Sequence, residues 1–190
     1  MSSKKLLLGH LNYHNSVELE KEYLVNLSIN GQKPHTLFIG CCDSRVIPEQ
    51  FTGSKPGELF VLRNIANHVP KYEEKVVSVG SAITYAVKYL QVQHIVVCGH
   101  TNCGGITAVN DINNIDDFAL KSWVSNLKGN IEDNVLYSIE NLKTYPIIQE
   151  HINLEKINLH AWIYDIETLN IKIYDGLNWV FANQIITTHF

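Results

Sequence analysis

A chain of 190 residues with 45% hydrophobic and 18% charged positions holds enough apolar material for one sizeable core and too little charge for a disordered tail. Its formal net charge of −4 leaves no basic footprint, which argues against nucleic acid or an anionic membrane surface as partner. No stretch approaches the roughly 18 to 20 uninterrupted apolar residues of a membrane-spanning helix, and Gly9 and His10 interrupt the early leucine run before a signal-peptide core of about 7 to 15 residues can form, so the expected location is the cytoplasm.

Residues 2–29 are rich in Leu, Glu, Lys and Tyr with apolar positions near helical spacing, which predicts one or two helices closed by Gly31 and Pro34. Residues 36–40 (TLFIG) and 59–62 (LFVL) are short β-rich apolar runs and predict buried strands, the second after the turn residues Lys55, Pro56 and Gly57. Residues 75–91 place apolar side chains three and four apart and predict an amphipathic helix, followed by a third buried strand over 94–98 (HIVVC) that stops at Gly99. Helices are predicted over 116–127 and 130–142, with Pro146 marking an end or a kink, and residues 157–164 and 169–174 predict a hairpin. Strands that alternate with helices and lack internal polar alternation predict an α/β fold. The expected architecture is a mostly parallel central sheet flanked by helices, with N-terminal helices and a C-terminal hairpin or edge strand. We expect one domain over residues 1–190, with 1–30 as a helical arm.

Two of these strands run straight into segments that carry chemistry. Ligands in such sheets bind beyond the carboxyl ends of the strands, so the loops after residues 36–40 and 94–98 are expected at one edge. The first holds Cys41, Cys42, Asp43, Ser44 and Arg45; the second holds His100, Thr101, Asn102, Cys103, Gly104 and Gly105. The four cysteines, 41, 42, 98 and 103, cluster in two short segments instead of spreading as a disulfide framework, which in a reducing compartment favours metal or catalysis. Two thiolates and an imidazole suit zinc, and three protein ligands with an open fourth position are the pattern of a catalytic site. Each piece alone has a bland reading. A cysteine after an apolar strand is usually a buried small residue, and Cys98, inside its strand, is assigned no chemistry. Cys42 competes with Cys41 as a ligand, but neighbours in an extended segment point opposite ways, which favours Cys41.

GCCDSRV over 40–46 and GHTNCGG over 99–105 resemble the two zinc motifs of the β-class carbonic anhydrases, and PGELFVLRNIAN over 56–67, NLKTYP over 141–146 and LHAWIYDI over 159–166 are similar to that family as well. The resemblance implies one Zn²⁺ per chain on Cys41, His100 and Cys103, with Asp43 and Arg45 as a catalytic dyad and CO₂ and bicarbonate as substrate and product. It also implies a substrate cavity of Gln32, Phe60, Ile65, Tyr85 and Gly104, and a homodimer or tetramer in which the N-terminal helices embrace a partner. Some members bind an inhibitory bicarbonate with a Trp three residues before the first ligand; Phe38 stands there and has no N–H donor, although Arg63 is present. Two thiolates neutralise the metal's 2+ charge, so water is acidified less than at a three-histidine site, and activity is expected to rise with pH through a higher midpoint. Hydrolysis of carbonyl sulfide or carbon disulfide, a closed zinc module with Asp43 or Cys42 as fourth ligand, and a cysteine-nucleophile or redox enzyme are the rival readings.

Overall fold

The computed structural model describes residues 3–186, and its contacts divide the chain into an N-terminal unit, Met1–Lys33, and a main unit, Pro34–Phe190. The first holds α1 (Ser3–Ser16) and α2 (Lys21–Asn30), joined by a 3₁₀ turn over Val17–Glu20. Leu6, Leu7, Leu8, Leu11, Val25 and Ile29 are all exposed on this unit. Among the described residues no helix is long and apolar enough to cross a membrane.

In the main unit the chain runs β1 (Thr36–Cys41), α3 (Pro48–Thr52), β2 (Leu59–Asn64), α4 (Val77–Thr84) and β3 (His94–His100). There follow α5 (Gly104–Asn110), α6 (Phe118–Val124), α7 (Ile131–Leu142), α8 (Pro146–Asn153), β4 (Asn158–Tyr164), β5 (Ile171–Tyr174), β6 (Trp179–Phe181) and α9 (Ala182–Ile186). The sheet order is β2-β1-β3-β4-β5-β6, parallel from β2 to β4 and antiparallel beyond it. The expected α/β architecture is therefore present, and the hairpin forms as β4–β5.

β1 and β3 read as unbroken apolar runs because both of their faces are covered, whereas β2, expected as a buried strand, lies at the sheet edge and is half-buried along its length. Leu37, Ile39, Ile95, Val97, Ala161 and Ile163 face a core shared with Ile83 and Val87 around α4, Val135, Ile139 and Leu142 of α7, and Ile148 of α8. Phe38, Val96, Cys98 and Tyr164 face the other way, where Phe51 of α3 stacks on Tyr164 with ring centroids 4.3 Å apart. Each fully buried aliphatic side chain contributes about 1.5 to 3 kcal/mol, so the sheet between the two loops is a stiff platform.

Several boundaries depart from expectation for local reasons. Pro146 opens α8 at its first turn, where its missing N–H costs nothing. The helix expected over 75–91 ends as a π turn over Tyr85–Tyr89, and Gln91 leaves it with φ +56°. The 116–127 run is helical only from Phe118, where Asp117 caps it by accepting from the Leu120 amide at 2.7 Å. β6, α3, α5 and α9 were too short for periodicity to reveal.

His68 is a buried base with a consequence for stability. It is 1% exposed, packed edge-on to Trp123 and stacked on Tyr137, and neither ring nitrogen has a hydrogen-bond partner. Burial pulls its pKa from 6.5 down to about 4, against a weaker pull from Glu74. The folded state therefore keeps it neutral while the unfolded chain protonates. The stability it confers is full above pH 6.5 and drains away as pH falls towards the folded value, by about 3 kcal/mol in all. His68→Phe, which keeps an aromatic ring in that slot, should lose about 2 to 3 kcal/mol less than the wild type between pH 7 and pH 4.5 in urea unfolding. Equal losses in the two proteins would show that His68 does not carry this dependence.

Candidate metal centre

β1 and β3 are adjacent and parallel, with Gly40 in register with Cys98, so both chains leave the sheet at the same edge. Cys41 is the last residue of β1 and His100 the last of β3. After His100 the chain turns through Asn102, in the left-handed region at φ +55°, and Cys103 takes an extended conformation as the N-cap of α5. The turn swings the Cys103 thiol back to 3.9 Å from the Cys41 sulfur. The donor atoms of Cys41, His100 and Cys103 all lie within 4.8 Å of one another, and all three residues are buried. Two thiolates on one tetrahedral zinc, at Zn–S distances of about 2.3 Å, lie about 3.8 Å apart, so the sulfur spacing already fits.

The imidazole fits as well. His100 Nδ1 is 2.9 Å from the Thr101 carbonyl, which fixes the proton on Nδ1 and leaves Nε2 with its lone pair. Nε2 is buried and has no hydrogen-bond partner, an orphan that a metal ion would satisfy. The Cys103 thiol hydrogen-bonds the Cys41 sulfur and is the main reason the Cys41 thiol is held below its ordinary value against burial; His100 and the backbone at Asp43 and Ala66 add to the effect. The same hydrogen bond, with burial, pushes Cys103 up. The protein alone thus favours one thiolate, and a divalent cation supplies what the second needs. Cys42, the residue after β1, is exposed and apart from the buried Cys41, as alternation of an extended chain predicts. Cys98 is buried in the sheet and its thiol is pushed up to about 12 by burial, an inert side chain.

Beside this group lies an ion pair with defined geometry. Arg45 donates from Nε to Asp43 Oδ1 at 2.9 Å and from Nη2 to Oδ2 at 2.7 Å, and its backbone amide donates to Oδ1 at 3.0 Å. These bonds hold the Asp43 carboxyl well below the usual carboxylate range. Oδ2 is also 3.9 Å from His100 Nε2, so the carboxylate borders the donor atoms. Arg45 Nη2 further donates to the Asn102 carbonyl at 3.1 Å, tying the first motif to the second.

Arg63 completes the frame. It donates from Nε to the Cys41 carbonyl at 2.8 Å and from Nη2 to the Asp43 carbonyl at 2.7 Å, fixing the backbone on both sides of Cys42. On the other flank, Thr101 Oγ1 donates to Asp165 Oδ1 at 3.2 Å and accepts from the Ile166 amide at 3.0 Å, while Asn102 donates to Glu167 at 2.7 Å. The supporting roles of Asn102, Asp165 and Glu167 were missed by sequence reasoning; the one signal was the polar turn that follows the 157–164 run.

The remaining candidates separate. Ile65 and Gly104 adjoin the centre: Ile65 follows β2 and lies so close to α5 that a Cβ on Gly105 would meet its Cγ2 at 2.8 Å. Trp123 holds this turn by donating to the Ile65 carbonyl at 2.9 Å, and Ala66 accepts its strained φ of +59° there. Phe60 lies four residues back along β2 from Asn64, the register partner of Cys41, about 13 Å away along the strand. Its ring contacts Tyr85, which lines a cavity with Tyr72, Val76, Tyr89 and Tyr145. Gln32 is exposed in the N-terminal unit.

Residues 36–134 match the family model described as carbonic anhydrase. A carbonic anhydrase from Pseudomonas aeruginosa is 32% identical over 200 residues, covering 95% of this chain and 91% of that protein. Among solved structures, the β-carbonic anhydrase CcaA superposes with a TM-score of 0.87 at 31% identity, covering 95% of this chain and 100% of that one. A structure described as one of two tetrameric β-carbonic anhydrases from Sordaria macrospora gives a TM-score of 0.73 at 27% identity, covering 90% and 95%.

Proposed function

As the chain belongs to the β-class carbonic anhydrases, we propose that it hydrates CO₂ reversibly to bicarbonate and a proton at one Zn²⁺ per chain, held by Cys41, His100 and Cys103. The observation that carries this reading is the convergence of two buried sulfurs and an unpartnered imidazole nitrogen beside the Asp43–Arg45 pair. Bound there, zinc would supply the Lewis acidity that makes water nucleophilic, with a midpoint above that of a three-histidine site. Asp43, kept ionised by Arg45, is an acceptor only. It takes the hydrogen bond of the nucleophilic water and orients the oxygen lone pair towards CO₂. Because both carboxylate oxygens are engaged by Arg45, the reading in which Asp43 permanently closes the metal site is disfavoured.

Ile65 and Gly104 form the near wall for the apolar substrate in this proposal. Phe60 stands too far along β2 to serve the centre of its own chain, and Tyr85 packs against it, which supports a homodimer or tetramer whose cavity is completed across an interface. The exposed leucines of α1 supply apolar surface for such assembly. A cytoplasmic location belongs to the same proposal.

The test is stopped-flow CO₂ hydration at several pH values with zinc quantified and a chelated sample alongside. Fast hydration that needs zinc and rises with pH is the expected result; full zinc occupancy without hydration would overturn it. Arg63→Gln checks the frame. Loss of its two carbonyl contacts should reduce turnover about 10- to 100-fold, the usual effect of removing support from metal ligands. Unchanged turnover with normal zinc content would remove Arg63 from the assembly of the site.

A further inference from the structure

We propose that His94 and His160 form a second, two-histidine site for a late first-row divalent metal, Zn²⁺ among them, with water completing the coordination, at the amino-terminal end of the parallel strands. His94 opens β3, and His100 lies six positions on at the other end of that strand, about 20 Å away. The site is therefore distinct from the Cys41 centre and independent of the reaction proposed there.

The register makes the pair. His94 lies opposite Asn158 and His160 opposite Val96, so the two histidines are diagonal neighbours on one face of β3–β4. Their rings approach with His94 Nδ1 3.1 Å from His160 Nε2 and centroids 5.2 Å apart, tilted by 51°. Two nitrogens on one metal with bonds of about 2.0 to 2.1 Å lie about 2.9 to 3.4 Å apart, from square to tetrahedral geometry, so this spacing lies in the range of a chelating pair. Both rings face a cavity of about 650 Å³ that His35 and Glu58 also line. His35 is tied there through its carbonyl, which accepts from the Gln93 and His94 amides at 2.9 and 3.2 Å. Its Nδ1 is engaged by Thr36 Oγ1 at 2.7 Å, so His35 shapes the cavity wall and the chelating donors are those of His94 and His160. Burial, and to a lesser degree His94, lower the pKa of His160 and favour the neutral form that ligates. Imidazole donors suit Zn²⁺, Ni²⁺ or Cu²⁺ and suit Mg²⁺ or Ca²⁺ poorly.

The test uses zinc-loaded protein in which the exposed α1 pair His10 and His14, whose rings lie 6.5 Å apart, is removed as His10→Gln/His14→Gln. Equilibrium dialysis against Zn²⁺ should then find two zinc ions per chain, and His94→Gln or His160→Gln should each return the count to one while CO₂ hydration is kept. In parallel, ¹⁵N-imidazole NMR of the protein with the pair intact should show His94 Nδ1 and His160 Nε2 shifting together with added Zn²⁺. One zinc per chain throughout would overturn the proposal and leave a plain hydrogen-bonded pair. A second zinc that survives both substitutions, or resonances that do not move, would overturn it as well. The NMR result decides the matter if a substituted chain fails to fold.

Discussion

Cys103→Ser should purify as a folded protein with little zinc and with CO₂ hydration reduced about 10³-fold or more, since the metal supplies the nucleophile. A hydroxyl at this position stays protonated and cannot replace the second thiolate, so the donor set falls to one thiolate and one imidazole. Folding should persist because the main core between the sheet, α4, α7 and α8 contains none of the three ligands. The serine hydroxyl can still donate to the Cys41 sulfur, so the fall in melting temperature that accompanies the loss should be the stabilisation that bound metal contributes by mass action. Zinc by mass spectrometry, hydration by stopped flow and thermal unfolding measured on one preparation separate these effects. Stoichiometric zinc with retained turnover would remove Cys103 from the ligand set. Cys42→Ser is the matched control: that side chain is exposed, and neither zinc nor turnover should change.

The difference between these neighbours marks how far the sequence could be read. Adjacent cysteines at a strand end are separated by the alternation of an extended chain, and that rule placed Cys41 inwards and Cys42 outwards in the structure. The edge at which the two motifs meet was legible for a similar reason: two short apolar runs, each ending in a glycine and a cysteine or histidine, imply parallel strands with a common carboxyl edge. What closed the site was not legible. The Arg45 contact with the Asn102 carbonyl, the Thr101–Asp165 link and the Arg63 clamp are long-range contacts to carbonyls and turns. Periodicity and spacing carry no information about which carbonyl a guanidinium will find. Gly99 shows the same limit in the packing: a Cβ there would come within 2.7 Å of Val135 and 2.9 Å of Ile131. The glycine next to His100 thus lets α7 close on the strand end, whereas from the sequence it reads only as a stop. The proposed cavity residues were the least legible, because Phe60 and Tyr85 carry ordinary apolar patterning and the distance of Phe60 from Cys41 is set by strand register.

Arg45→Ala should keep its zinc and lose about 10²-fold or more in turnover, the scale of a positioned proton-handling group. Arg45 is largely exposed, and its three side-chain hydrogen bonds end on Asp43 and Asn102, so its removal leaves the core untouched. What it releases is the Asp43 carboxylate, which stays ionised near neutral pH without the depressing contact and becomes free to rotate. Oδ2 already borders His100 Nε2, so the freed carboxylate competes with water for the fourth position on the metal. Zinc X-ray absorption should then show a protein carboxylate in place of water, and the loss should fall on kcat more than on KM. Arg45→Lys should recover only part of the rate, since an ammonium cannot make the paired Nε and Nη2 contacts. The decisive comparison is Asp43→Ala/Arg45→Ala. If Arg45 acts by restraining Asp43, the double substitution should be no slower than Asp43→Ala alone. Additive losses would show that Arg45 contributes to the transition state by a route of its own.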